Sequence, residues 1–407
     1  MTDVAERPLP TGTGAPDTVG AHVRAYLQRV RGGDLGHLPI IIGILLIAVI
    51  FRALNDQFLT ANNFVNLMVQ MAGLTTLAIG IVFVLLLGEI DLSVGYVSGV
   101  GAAVMARLLL AEQPWWVAVG VALLVGLLIG ALQGTIIAKI GVPSFVVTLA
   151  GFLAWSGMVL ILVGGLGTIV VQDRVVVGIA NRFLPDPVAW AVAAVAVTVY
   201  AVVSFARVRG RAAEGLGSIP PALVALRVVG VAVISAGAVW WATQGRGLPL
   251  VAVIVLLLLV GWSFVANRTR YGRYVYAVGG NAEAARRAGI DVDRIRIAVF
   301  MISSTMAVLG GIILASRLRS VDAAAGGGNL LLNAIAAAVI GGTSLFGGRG
   351  RVIDALLGAL VIASVDNGMG LLGLSSGVKF VVTGLILLAA VIVDSFSRRG
   401  RAHSGLA

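Results

Sequence analysis

Long apolar runs separated by short polar breaks fill the chain from Leu38 to Asp394. Twelve such segments can be read, at about 38–54, 64–87, 92–110, 115–139, 143–165, 188–206, 220–242, 249–267, 297–316, 328–347, 351–372 and 377–394. Most approach the roughly 20 residues an α-helix needs to cross the hydrocarbon core of a bilayer. Helices satisfy their own backbone groups where no water can, so each segment is expected to be helical. The pattern therefore predicts an all-α polytopic membrane protein of about twelve transmembrane segments. Two segments have weak points. The second contains GLTTLAIG (73–80) and the tenth AAAVIGGTSLFGG (336–348), where small and hydroxylated residues permit close packing or unwinding.

Composition agrees with the pattern. Charged residues make up 12% of the chain and mean hydropathy is +1.04, which excludes a soluble domain of this size. Residues 1–37 are polar, with three prolines, and read as a disordered cytoplasmic tail. No apolar core precedes Leu38, so the first helix is expected to be an uncleaved anchor. One permease domain then spans 38–394, and a basic cytoplasmic tail covers 395–407. The chain has no cysteine, which removes thiol chemistry, and its three histidines lie near the ends, so neither metal nor cofactor is expected.

The net charge of +11 changes the picture only through where it falls. With the N-terminus inside, Arg7, Arg24, Arg29, Arg31, Lys139, Arg207, Arg209, Arg211, seven arginines of the 268–296 loop, Arg349, Arg351 and the last three arginines are cytoplasmic. The outer side holds only Arg174, Arg182, Arg246, Arg317, Arg319 and Lys379. That bias places both termini inside and explains the charge without nucleic acid.

The chain also echoes itself. GALQGTIIAKIGVPSFVVTLAG starts at Gly130, and GALVIASVDNGMGLLGLSSGVKFVVTG starts at Gly358. The first covers the fourth and fifth segments, the second the eleventh and twelfth. An even segment matching an odd one implies an inverted repeat of segments 2–5 and 9–12, with the transport pathway at the repeat interface. Segments six and seven, about 188–242, then form an insertion.

The 268–296 loop carries the most elaborate polar feature, GGNAEAARRAGI (279–290). Asn281 is a good N-cap, Glu283 suits the positive end of a helix, and Gly289 is a natural stop. Glu283 and Arg287 are four apart and can pair, with Arg286 beside them. A helix of two turns is not stable alone. Its alanine stripe, Ala282, Ala285 and Ala288, either inserts into a partner's groove or lies on the protein's own surface. Asp291 or Asp293 caps the next span.

Other polar positions carry paired readings. In GEIDLSVG (88–95), Asp91 with Ser93 caps the third helix, or Glu89 and Asp91 form an intramembrane site. Thr75, Thr76, Ser303–Thr305 (with Ser304 among them), Thr343 and Ser344 either line a pathway for a hydroxylated solute or bond back to their own helices. Asp354 caps the eleventh segment beside Arg351. Asp366, with Asn367, lies deeper and faces the pathway or breaks the helix. Arg349 and Arg351 form a second basic turn, for the membrane surface or a partner.

Three stretches carry a resemblance. YAVGGNAEAARRAGIDVDRIR (276–296) resembles the cytoplasmic coupling loop of bacterial sugar ABC-transporter permeases of the ribose, xylose, arabinose and galactose group. GEIDLSVG, with Gly88, Glu89, Asp91, Ser93 and Gly95, is similar to that family's signature after its second helix. IAAAVIGGTSLFGGRGRVIDALLGAL (335–360) resembles its third stretch. The likeness covers about 64–165 and 250–394, and the added central helix pair is most like the xylose permease branch. One departure is Glu89, where many relatives have a second glycine.

The resemblance implies a homodimer in the inner membrane, an extracytoplasmic sugar-binding protein, a monosaccharide such as xylose, and a separate ATPase touching Asn281–Gly289. The residues fit that division of labour. Lys139 and Lys379 are the only lysines, and neither stands in a Gly-Lys-Ser/Thr context, so the chain has no P-loop. A gradient-driven transporter and a membrane-embedded enzyme are the rival classes. The first would suit twelve spans and a few acids; the second lacks a catalytic cluster.

Overall fold

The computed structural model describes residues 38–214 and 220–386, with Leu388 and Ile392. The tails expected at 1–37 and 395–407, and most of the twelfth segment beyond Ile386, lie outside these residues.

All twelve apolar segments have a helical counterpart. They are α1 (Leu38–Leu54), α2 (Ala61–Leu86), α3 (Val94–Leu110), α4 (Trp115–Thr135), α5 (Ser144–Val163), α7 (Asp186–Ala213), α8 (Pro221–Thr243), α9 (Leu250–Arg268), α12 (Val292–Leu318), α13 (Leu330–Gly341), α14 (Val352–Leu371) and α15 (Ser376–Ile386). Between them lie α6 (Arg174–Asn181), α10 (Arg270–Gly280) and α11 (Ala282–Arg287). A π-helical turn, Ile136–Ile140, ends α4. Two short antiparallel pairs, β1 (Thr168–Val170) with β4 (Ser320–Asp322) and β2 (Phe183–Leu184) with β3 (Leu248–Pro249), tie loops together.

Among the described residues, eight helices are long and apolar enough to cross a membrane, and α1, α3, α13 and α15 are shorter. The tenth segment is cut most. Its helix has 12 residues, about 18 Å at 1.5 Å per residue, and stops at Gly341 because Gly342 turns to φ +119°. The suspected weakness of the second segment does not materialise. The 26 residues of α2 are continuous, and nearly all its span is buried.

Compactness divides the described residues into two units. One comprises 185–241, which is α7 with most of α8 and coincides with the predicted insertion. The other holds every other helix. Within it α2 packs on α12, α13 and α14, while α12 packs on α2, α3 and α4. This reciprocal arrangement matches a repeat of α2–α5 with α12–α15. The echoed Gly-Ala-Leu glycines both serve close helix approach, but to different neighbours. A Cβ on Gly130 would lie 2.4 Å from the Phe300 carbonyl of α12, and one on Gly358 would lie 1.7 Å from the Ala337 carbonyl of α13.

Candidate functional site

The chain unwinds between α2 and α3, across the GEIDLSVG stretch. Gly88 makes the turn at φ +74°, and helix resumes at Val94. Unwound backbone inside a bundle must find partners. Here α5 supplies them to Ile90. Ile90 N–H donates to Ser144 Oγ at 3.2 Å, and Thr148 Oγ1 donates to Ile90 O at 3.2 Å. On the other side runs α12. Arg296 Nε lies 3.1 Å from Glu89 Oε1, and two turns further Ser303 donates its hydroxyl to Asp91 at 2.8 Å. Asp91 also accepts the Ser93 N–H at 2.9 Å and lies 2.7 Å from the Ser93 hydroxyl, which is 3.1 Å from Gln133 Oε1 of α4.

Asp91 is 1% exposed. It therefore sits inside the bundle rather than at its edge, and it orders the turn ahead of α3 through Ser93 rather than capping the helix alone. Gly95 completes the stretch. A Cβ there would come within 2.6 Å of the Gly326 carbonyl.

The three sequence stretches meet at the α2 end of this segment. Gly348 N–H donates to Leu86 O at 2.9 Å. A Cβ on Gly279 would lie 1.7 Å from that same carbonyl, and one on Gly347 would lie 3.0 Å from Gly88 N. Tyr276 donates its hydroxyl to Gly350 O at 2.8 Å. Burial and the nearby Asp354 carboxylate push the Tyr276 hydroxyl above its ordinary pKa, partly offset by Arg351, so it stays a donor. Glycine is needed at Gly279 because backbone meets backbone there.

The loop beyond α9 folds as two short helices. Thr269 opens α10 by accepting Gly272 N–H at 3.1 Å, and Gly272, Val275 and Val278 turn inward. Asn281 caps α11 by accepting Ala284 N–H at 2.9 Å, and Gly289 closes it at φ +83°. The alanine stripe divides: Ala282 packs partly against the protein's own core, while Ala288 is exposed. Ala285 is 5% exposed and joins the protein's own apolar core. The outward face is Glu283, Arg286 and Arg287, with Glu283 3.1 Å from Arg287 and 3.7 Å from Arg286. Arg286 lies 3.9 Å from Asp293 near the start of α12, and Lys139 on the π-helical turn reaches Asp293 at 3.0 Å. π-Turns often mark functional positions in helices.

The candidate lining residues are not brought together. Thr75 and Thr76 are fully buried and bond back to Met71 O and Ala72 O at 2.8 Å. Thr343 donates to Asp354 at 3.0 Å, and Ser344 accepts the Phe346 N–H at 3.2 Å, so both build a turn. Asp354 also accepts Arg351 N–H at 2.7 Å, opening α14 as its spacing predicts. Ser304 is buried, and its hydroxyl has no hydrogen-bond partner among the described residues. Asp366 leaves 62% of its side chain exposed, 3.9 Å from Lys379. Asn367 turns inward instead and exchanges amide hydrogen bonds with Asn63, so the pair does not break α14. Ser144, Thr148, Gln133 and Arg296 escape the sequence reading. Each is an ordinary helix residue until the unwound segment arrives beside it.

The comparisons bear on this arrangement. The family model described as branched-chain amino acid transport system / permease component matches residues 63–391. The xylose transport system permease protein of Escherichia coli (strain K12) is 40% identical over 363 residues, covering 88% of this chain and 91% of that protein. The protein of the same name from Haemophilus influenzae is 34% identical over 374 residues, covering 89% and 98%. The ribose import permease protein of E. coli (strain K12) is 33% identical over 355 residues, covering 87% and 92%. No solved structure matches the chain significantly. Since the match runs through the unwound segment, the α10–α11 loop and the glycine turn together, the chain belongs to this family of transport permeases and is a multi-pass membrane protein.

Proposed function

We propose that the chain is the permease subunit of an ATP-driven monosaccharide importer of the bacterial inner membrane, with a pentose such as D-xylose as its substrate. The observation that carries this reading is the junction of Gly88, Gly279 and Gly348, where a docking-type helix meets an unwound membrane segment. Relatives named for xylose and ribose transport support the sugar class.

In this reading both termini and α11 face the cytoplasm, as the arginine bias suggests. A separate ATPase seats on Glu283, Arg286 and Arg287. Its closure pushes α11, which moves the start of α12 through Arg286 and Asp293 and the end of α2 through Gly279 and Leu86. The unwound segment is held to α12 at Glu89 and Asp91, so it shifts with it. A second copy of the chain and an extracytoplasmic sugar-binding protein complete the assembly. Thr75, Thr76, Ser304, Thr343, Ser344 and Asp366 contribute to the pathway only if these movements expose them. Asp366 is the one already open.

Uptake of labelled xylose and ribose into proteoliposomes tests the reading. The chain with ATPase, binding protein and ATP should import one of them, and a proton or sodium gradient alone should not drive uptake. Gradient-driven uptake by the chain alone would overturn it.

A further inference from the structure

We propose that Gln133 on α4 and Trp155 on α5 bind a neutral, hydroxyl-rich solute inside the bundle, beside the unwound segment. The site rests on the transport reading above for its role and on its own chemistry for the solute's class. Gln133 Nε2 and Trp155 Nε1 are both shut off from water, and neither has a hydrogen-bond partner among the described residues. Gln133 as a whole is 3% exposed. Buried donors are nearly always paired, so two orphans side by side call for an occupant. They converge on one spot. A Cβ built onto Gly151, one turn before Trp155, would lie 2.3 Å from Gln133 Nε2, 3.1 Å from Trp155 Nε1 and 3.3 Å from Ser93 Cβ. The carbonyl end of Gln133 is no better served. Ser93 Oγ lies 3.1 Å from it and 2.7 Å from Asp91, and one hydroxyl hydrogen cannot serve both.

Two N–H donors require an acceptor and reject a cation. The Asp91 carboxylate, two residues from Ser93, repels an anion. A neutral hydroxyl meets both conditions. The wall beside it is aromatic: Tyr96 and Phe152 meet edge to face with ring centroids 4.8 Å apart, and Phe152 adjoins Gly151. Apolar walls with a few converging polar groups are the ordinary make-up of a solute pocket. The location agrees. Asp91 is met by Ser303, near the middle of α12. The short helices α3 and α13 are counterparts in the repeat, and the stretches before them touch. A Cβ on Gly95 would lie 2.6 Å from Gly326 O, and one on Gly326 2.2 Å from Gly95 O. Paired breaks of this kind mark the sites of repeat-built transporters. Entry requires α5 to leave α3, its main neighbour. Ile90 is bonded to Ser144 and Thr148, so the unwound segment and α5 move together. The rival is internal closure. With the Gln133 amide turned about, or with one trapped water, the same donors are satisfied without a solute.

Q133L and W155F each remove a donor and nearly keep the shape. Equilibrium binding of labelled D-xylose and D-ribose to the full-length chain in nanodiscs, without partners, tests the site. The parent should bind at least one sugar saturably, and each variant should bind it about tenfold more weakly, the loss of one hydrogen bond. Both variants should melt at or above the parent's temperature, because each loses an orphaned donor. D-xylonate should not compete. Variants that melt lower yet bind as the parent does would establish internal closure and overturn the site, as would a parent that binds neither sugar. Competition by xylonate equal to that by xylose would overturn the neutral class. ATP-dependent uptake that persists unchanged in Q133L and W155F would overturn the site and leave the importer reading standing. Sugar binding that needs Gln133, with uptake driven by a gradient alone, would overturn the importer reading and leave the site.

Discussion

The hydroxyl of Ser303 donates to the carboxylate of Asp91 at 2.8 Å, joining the unwound segment to α12. Asp91 also accepts the Ser93 N–H and lies against the Ser93 hydroxyl, and it is 1% exposed. Removing one partner of a buried bond leaves the other unsatisfied, at about 1–3 kcal/mol. S303A should therefore lower the melting temperature modestly. D91A should lower it further and reduce the folded yield in size-exclusion profiles, because all of its donors lose their acceptor. A D91A protein with normal melting and no uptake would instead move Asp91 into the pathway.

The glycine junction gives a sharper contrast. Gly279 and Gly280 are adjacent at the end of α10, yet a Cβ on Gly279 would overlap the Leu86 carbonyl and one on Gly280 would meet nothing within 4 Å. The obstacle at Gly279 is backbone, which cannot rotate away. G279A should misfold or lose several degrees of thermal stability, whereas G280A should express and melt as the parent does. Equal stability of the two variants, measured side by side, would mean that the junction is loose.

On α11 the sequence suggests Ala285 as the coupling contact, and the structure redirects the test. Ala285 is buried, so a bulky charged residue there should damage folding and say nothing about a partner. Arg287 is 80% exposed in its side chain and, among the described residues, pairs only with Glu283 across the surface, an interaction worth about 0.3–0.5 kcal/mol. R287E should leave melting nearly unchanged and reduce transport while ATP hydrolysis by the partner continues. Full ATP-dependent uptake by R287E would remove this face from coupling.

Local signals were legible in the sequence, and long-range pairings were not. Hydrophobic run length placed twelve helices, and cap chemistry placed Asn281, Gly289 and Asp354, since each acts within a few residues of itself. The tenth segment ends early because Gly342 stops it, and its Gly-Gly pair hinted at that. Nothing local reveals that Leu86, Gly279 and Gly348 share one point, or that Ser144 and Thr148 hold Ile90, because those contacts join segments far apart in the chain. The alanine stripe left two readings open for the same reason. A small smooth face suits a partner's groove and the protein's own core equally, and only the packing of α11 decides between them.

Asp366 and Asn367 read alike in the sequence and should behave oppositely. Asn367 exchanges hydrogen bonds with Asn63 at 2.8 and 3.0 Å, while Asn63 also donates to Phe58 O at 2.8 Å. Such bonds within membrane bundles contribute about 0.6 kcal/mol on average and up to about 2 kcal/mol. N63A and N367A should each lower the melting temperature, and the double variant should cost less than their sum, because the second change removes a group already left without its partner. Asp366 faces outward, and its only ion pair among the described residues is loose at 3.9 Å. D366A should therefore melt like the parent. If Asp366 lines the route of the solute, D366A will lose uptake despite normal melting and normal ATPase binding. If uptake also stays normal, Asp366 belongs to neither the fold nor the pathway.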